Sequence, residues 1–242
     1  MNPGILYAAL AYTLWGLFPL FFKQLAGAGA LEVVLHRLVW SLVFVLLVLA
    51  VLRRWAWLRD VFRTPRVVGA FALSATLLAS NWLVYIWAVN NDHVLDASLG
   101  YFILPLVNVA LGYVFLHERP RRGQWLAFAI ACAGVLWLTV QGGRLPWVAL
   151  TLAVTFGLYG LLRKLAPLGA LEGLSLETLL LAPLAMLALA WMTGQGQGVM
   201  ARHDTALFAW LAASGPVTAI PLLLFAAGAR RIPLSTMGIL QY

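Results

Sequence analysis

The chain rarely stays polar for long: eight apolar stretches follow one another, and a ninth begins just before the last residue. Their least polar cores are residues 4–22, 33–52, 67–89, 97–116, 123–140, 145–162, 174–192 and 206–227. About 20 apolar residues at a rise of 1.5 Å cross a hydrocarbon core of about 30 Å. Each stretch is therefore predicted to be a membrane-spanning helix. A soluble fold would need amphipathic covering helices and a polar surface, which the pattern lacks. Membrane strands would alternate apolar and polar positions, and these stretches do not. The fold class read from the pattern is all-α, a polytopic membrane helical bundle.

Composition agrees, with 63% hydrophobic and 10% charged residues, against about 25% charged in an ordinary soluble domain. The net charge of +8 reflects where the basic residues fall rather than a nucleic-acid surface. Arg53, Arg54, Arg59, Arg63 and Arg66 follow the second stretch; Arg119, Arg121 and Arg122 follow the fourth. Arg163 and Lys164 follow the sixth, and Arg230 and Arg231 the eighth. The odd connections hold only Lys23, Arg144 and Arg202. Cytoplasmic connections carry the Lys/Arg excess, which places the even ones and the N-terminus inside. The Arg53–Arg66 connection, with Trp55 and Trp57, reads as an interfacial segment held by anionic lipid. Met1-Asn2-Pro3 has no basic leader, so the first stretch is expected to stay in the mature chain. Cys132 lies within an apolar stretch and reads as a small buried hydrophobe.

An internal repeat underlies the pattern. Residues 25–32 read LAGAGALE and residues 165–172 read LAPLGALE, matching at six of eight positions at an offset of 140. Trp15-Gly16-Leu17-Phe18-Pro19 and Ser98-Leu99-Gly100 have weaker echoes at Phe156–Gly160 and Thr236-Met237-Gly238. The halves divide as residues 1–141, with five helices, and 142–242, with three and part of a fourth. Five is odd, so the second half enters the membrane from the opposite side. Such inverted repeats are characteristic of secondary transporters. The repeat predicts ten helices in all, the chain stopping within the ninth.

The segments AYTLWGLFPLFFK (11–23), HRLVWS (36–41), NWLVYIWAVNNDHVLDASLGYFILPLVN (81–108), LHERPRR (116–122), FGLYGLLRK (156–164) and LSTMGILQY (234–242) resemble the EamA family of the drug/metabolite transporter superfamily. The resemblance covers essentially the whole chain. It implies ten helices in two five-helix repeats, residence in the bacterial inner membrane, and movement of small metabolites or drugs.

A charge within a span costs about 2.5–3.5 kcal/mol at mid-helix on insertion scales, which makes it a functional candidate. His36 and Arg37 lie in the second helix, with Trp40 and Ser41 three and four residues beyond Arg37 and so on its face. That face could hold an anionic or aromatic solute; snorkelling to the outer interface or helix packing is the alternative. Glu177 is the repeat equivalent of Arg37. It is read as its counter-ion across a cavity, as an interfacial residue, or as a carboxylate taking up a coupling proton. In the third helix Asn81, Trp82 and Tyr85 suit a polar neutral solute, whereas Trp87, Asn90 and Asn91 read as an interfacial belt and cap. Tyr101, Pro105 and Asn108 recur at i, i+4 and i+7 as one stripe, and Gly100 allows close helix approach. Pro19 and Pro221 are further candidate kinks, and Gln241 is a weaker path candidate. Glu118 reads as a structural carboxylate held by the neighbouring arginines.

No GxxxxGK[ST] loop, HExxH or GxSxG pattern is present, so no ATPase, enzyme, metal or cofactor is expected; the alternatives to a transporter are a non-transporting membrane scaffold or receptor and, behind it, an intramembrane enzyme. The expected partners are a small-molecule solute, membrane lipid and, in a coupled exchange, a proton; nucleic acid is not among them. Reporter fusions at residues 60, 120 and 230 should all report the cytoplasmic side, and a fusion at 202 the opposite side. A disagreement between residues 60 and 120 would overturn the topology.

Overall fold

In hydrocarbon every backbone N–H and C=O must find a partner within the chain, so long apolar stretches become helices. The computed structural model describes residues 2–120, 122–142 and 145–242; Arg121 and Arg144 of the charge pattern, and the Asn90 side chain, lie outside the described residues. The elements are α1 (Pro3–Gly16), α2 (Phe18–Lys23), α3 (Ala30–Leu52), α4 (Ala56–Phe62), α5 (Pro65–Asn90) and α6 (Val94–Leu116). They continue with α7 (Arg122–Gly142), α8 (Trp147–Leu165), α9 (Ala170–Gly194), α10 (Gly198–Ala201), α11 (Thr205–Ala229) and α12 (Leu234–Ile239). Among the described residues there is no strand, and eight spans are long and apolar enough to cross a membrane. They correspond one for one to the eight apolar stretches, with α1 and α2 forming the first span.

Two helices start alike. Gly29 and Gly169, at the offset of 140, are both extended N-caps, and α3 and α9 begin at the next residue. Both helices start about one turn before their apolar cores, because Leu-Glu after each cap is already helical. Their ends differ: Arg53 closes α3 in the left-handed region at φ 52°, whereas Gln195 after α9 keeps φ −85°.

The helices gather into two units, each drawing on both halves of the sequence. The first comprises Met1–Ala9, Thr76–Leu165 and Gly228–Tyr242, and the second Leu10–Ala75 and Ala166–Ala227. In the first unit α6 packs along α8 and α12. Gly100 on α6 lies so close to α8 that a Cβ would sit 3.0 Å from the Ala149 carbonyl oxygen, which is the close approach expected of it. Ile103, Leu104, Ala149 and Ala153 form the seam. α7 packs on α6, with Tyr113 and Trp125 edge to face at 5.5 Å. Much of its apolar surface is exposed, including Leu136, Trp137 and Val140.

In the second unit α3 packs along α9. The two run antiparallel. Glu32, in the first turn of α3, accepts the Val199 N–H just past the end of α9 (2.5 Å). Arg54, just past the end of α3, pairs with Glu172 in the first turn of α9 (3.5 Å). The segment between α3 and α5, read as interfacial, contains the short helix α4, docked through Val61 against Phe71 and Leu176. Arg163 and Lys164, assigned above to a connection, belong instead to the last turn of α8, and Arg163 is buried.

Gly215 on α11 meets α3 backbone to backbone: a Cβ there would sit 2.4 Å from the Trp40 carbonyl oxygen. No flexible side chain can yield, so the helices would have to separate. Gly215→Ala should lower stability by about 1–3 kcal/mol, the usual cost of overpacking. Thermal melting in detergent checks it; an unchanged melting temperature would contradict the close approach.

Candidate functional site

The candidate residues fall into two groups, one in each unit. In the second unit, Arg37 reaches α11 rather than the surface. Its Nε donates to Thr218 Oγ1 (2.9 Å), and its guanidinium carbon stands 5.8 Å and 5.3 Å from the Phe18 and Phe22 ring centroids. Planar guanidinium groups favour aromatic faces. Ser41 Oγ donates to the Gly215 carbonyl (3.2 Å), so the Arg37–Trp40–Ser41 face is applied to residues 215–218 of α11. His36 and Trp40 both meet the Phe208 ring edge to face, at 5.8 and 5.9 Å. His36 is buried, and neither ring nitrogen has a hydrogen-bond partner among the described residues.

Beside this face lies a cavity of about 290 Å³, lined by Leu14, Leu17, Phe18, Phe21, Pro216, Val217, Ile220 and Pro221. One of its walls is a broken helix and the other a continuous helix that carries two prolines. α1 ends at Gly16, and α2 restarts at Phe18 with Pro19 in its first turn. α11 carries Pro216 and Pro221. A proline supplies no N–H to the carbonyl four residues earlier. Trp15 therefore loses its in-helix donor to Pro19, Ala212 to Pro216, and Val217 to Pro221. Broken helices at membrane depth are tolerated where they are buried in protein or line a cavity. Pro221, read from the sequence as a candidate kink, lines the cavity; Pro19 follows the lining residue Phe18 and is not itself part of the lining. Gly215, Pro216 and Thr218 were missed, although a Gly-Pro-Val-Thr run within an apolar stretch is a legible break.

Glu177 lies elsewhere in the same unit. It is buried in α9 and accepts a short hydrogen bond from Ser74 Oγ of α5. The antiparallel register of α3 and α9 sets Arg37 and Glu177 roughly 15–20 Å apart along the helices, at 1.5 Å per residue. The reading of the two as facing counter-ions is therefore corrected: both helices begin early, but mirrored depths keep the charges apart.

In the first unit the Tyr101–Pro105–Asn108 stripe is the surface onto which α12 packs. A Cβ on Gly238 would lie 2.8 Å from the Pro105 carbonyl oxygen and 3.2 Å from Asn108 Cβ. Pro105 leaves the Tyr101 carbonyl without its in-helix donor, and Gln241 Nε2 supplies one at 3.1 Å. Tyr242 Oη donates to the Phe102 carbonyl (2.7 Å). The Tyr85 and Tyr101 rings meet edge to face at 6.3 Å, both partly exposed. Both Asn108 amide atoms and Gln241 Oε1 are buried without a hydrogen-bond partner among the described residues. Asn81, by contrast, uses its amide nitrogen on the Leu152 carbonyl (2.9 Å) and Thr155 Oγ1 (3.0 Å), tying α5 to α8. Trp82 beside it is half-buried. Asn91 donates to the Trp87 carbonyl (2.8 Å), and Trp87 packs against Trp147 (5.0 Å), in keeping with a cap and an aromatic belt.

Glu118 has a structural role through other partners than the adjacent arginines. Among the described residues it accepts the Leu234 and Ser235 N–H groups (2.7 and 3.0 Å) and the Ser235 hydroxyl (2.8 Å). Lys164 Nζ lies 3.9 Å away and donates to the Ala229 and Ile232 carbonyls. A carboxylate at the N-terminus of α12 meets its unpaired N–H groups and the positive end of its dipole.

Among the described residues, eight helical spans long and apolar enough to cross a membrane, two of them lining an apolar cavity, define a polytopic membrane protein of the transporter type. A family model described as the EamA-like transporter family matches residues 2–140, and the chain belongs to that family. It is 49% identical over 239 residues to Protein RarD of Streptomyces exfoliatus, covering 99% of this chain and 76% of that one. It is 47% identical over 242 residues to an uncharacterized transporter of Pseudomonas aeruginosa, covering 100% and 81%. Protein RarD of Escherichia coli is 44% identical over 239 residues, covering 99% and 81%. One solved crystal structure superposes with a TM-score of 0.71 at 17% identity, covering 98% of this chain and 83% of that chain, and shares the fold.

Glu118→Ala should destabilise the start of α12 by about 1–2 kcal/mol, the usual cost of a lost cap. Faster amide hydrogen exchange confined to residues 230–242 is the expected signature. Unchanged exchange there would show that the cap contributes nothing.

Proposed function

We propose that the chain is a secondary transporter of small metabolites or drugs working by alternating access, with no enzymatic step. The observation that carries this reading is the cavity of the second unit, lined from the α1–α2 junction by Leu17 and Phe18 and from α11 by Pro216 and Pro221. Secondary transporters place solute sites at such discontinuous helices. The relatives named as transporters support the class. The reading takes residues 1–141 and 142–242 as two inverted repeats, which would give outward- and inward-facing states of similar energy. Within it Arg37, His36, Trp40, Pro19 and Pro221 border the solute path in the second unit. Tyr85, Tyr101, Asn108 and Gln241 form a polar and aromatic patch in the first. The Glu177–Ser74 pair is the site for a coupling proton. Residence is in the bacterial inner membrane, with the N-terminus in the cytoplasm.

Counterflow of radiolabelled chloramphenicol, amino acids and aromatic acids into proteoliposomes tests the reading. The expected result is flux of at least one solute class above empty liposomes. It should fall about tenfold or more in Pro221→Ala, whose α11 regains the backbone bond that the proline removed. Absence of flux for all three classes, or flux indifferent to Pro221, would overturn the proposal.

A further inference from the structure

α3 carries two buried titratable side chains one turn apart, Glu32 and His36, each only 3% exposed. At a spacing of four residues they share a face of the helix. Glu32 is engaged: it accepts the Val199 N–H of the short helix α10 (2.5 Å). Gly198 seats the chain tightly on that carboxylate. Its φ of 87° is one that side chains avoid, and a Cβ there would stand 2.7 Å from Glu32 Oε1. Val199 is itself fully buried, in a cluster with Leu25, Val33, Leu207 and Leu211. The carboxylate thus fastens the connection between α9 and α11 to the start of α3. His36 makes no such bond. Its ring meets Phe208 of α11 edge to face at 5.8 Å, and neither nitrogen has a hydrogen-bond partner among the described residues. A buried polar group left unpaired is costly, and imidazole is the side chain that takes up a proton near neutral pH.

We propose that His36 is a proton-binding site that governs this fastening: its imidazolium form draws the Glu32 carboxylate onto a ring N–H and away from Val199. The proton comes from water, an imidazolium–carboxylate hydrogen bond forms, and the bond from the Val199 N–H to Glu32 breaks. A buried cation without a partner is far costlier than a neutral ring, so protonation of His36 requires a carboxylate. The other charged groups on the elements around it are placed elsewhere. Arg37, next on α3, donates to Thr218. On α9, Glu172 meets Arg54 and Glu177 meets Ser74. Arg202 donates to the Gly27 and Gly198 carbonyls, and Asp204 accepts the Leu207 N–H. Lys23 and His203 are exposed, and α11 has no charged residue. Among the described residues only Glu32 acts on the imidazole electrostatically. Glu32 is also the partner able to move, since it sits in the first turn of α3, whereas the ring is packed on Phe208. Gly198 leaves no slack beside Oε1, so a shift of the carboxylate frees the chain it holds. The fastening is closed while His36 is neutral and opens as pH falls through its titration. It operates whether or not the chain carries a solute.

The test follows the proton and the fastening together. The full chain, labelled with nitrogen-15 histidine, is titrated in detergent micelles from about pH 8.5 to about pH 5, the range in which imidazole changes charge. The His36 ring signals are those missing from His36→Gln. At each pH, amide exchange across residues 198–201 is measured as a protection factor, which removes the intrinsic pH dependence of exchange. Protection should fall about tenfold or more, the scale of one charge-assisted hydrogen bond, with the same midpoint as the His36 ring signals. His36→Gln should keep its protection throughout. Glu32→Gln, whose carboxamide still accepts the Val199 N–H but bears no charge, should lose the pH dependence and move the His36 midpoint to lower pH. A His36 that stays neutral across the range would overturn the proposal. So would protection that holds steady while His36 takes its proton. Acid release at an unchanged midpoint in His36→Gln would assign the effect to the Glu32 carboxyl itself and overturn the role of His36. Should His36→Gln fail to melt cooperatively, the wild type alone decides: separate midpoints for ring and amides would refute the coupling.

Discussion

The structure depends on one constraint: within a bilayer there is no water to satisfy a backbone carbonyl, so each helix break must be answered by protein. In α6 the break is Pro105. The Tyr101 carbonyl it releases is met by Gln241 from α12, a residue far along the chain. The neighbouring Phe102 carbonyl takes the Tyr242 hydroxyl. Gly238 permits this by letting α12 lie directly on the Pro105 carbonyl. In the second unit, Pro216 and Pro221 of α11 and Leu17 and Phe18 at the α1–α2 junction line the cavity.

Much of this was legible in the sequence, for identifiable reasons. Span positions follow from length and hydropathy, which the bilayer makes nearly decisive. The apolar cores put the starts of α3 and α9 about one turn late, because Ala-Leu-Glu after each glycine cap is helical although it is less apolar than the core. The face shared by Arg37, Trp40 and Ser41 followed from helical spacing alone. What could not be read was which helix that face meets. Thr218, Gly215 and Phe18 became its partners through tertiary packing. The supposed Arg37–Glu177 pair failed because α3 and α9 run antiparallel, which sets the two residues at different levels along the helices. Glu118 was recognised as structural, but its partners come from residues 164, 234 and 235, and nothing local announces them. Arg163 and Lys164 looked like a connection because charge ends an apolar run, yet the helix carries on through them.

The second unit has a near-symmetric frame. α3 and α9 lie antiparallel, each opening on a glutamate, and each glutamate holds chain that follows the other helix. Glu32 is buried against the Val199 N–H, at a point where Gly198 has φ 87° and a Cβ would stand 2.7 Å from Glu32 Oε1. Glu172 meets the Arg54 guanidinium, whose side chain is 63% exposed.

That difference means the two ends of the pair respond unequally to their surroundings. Electrolyte weakens attraction between exposed charges over a Debye length of about 8 Å at physiological strength, and barely touches a buried carboxylate on a backbone donor. Raising salt loosens the Arg54 end of the α3–α9 pair while the Val199 end stays fastened. Two glutamates at matching helix starts thereby serve as a salt-indifferent fastening at one end and a salt-responsive one at the other.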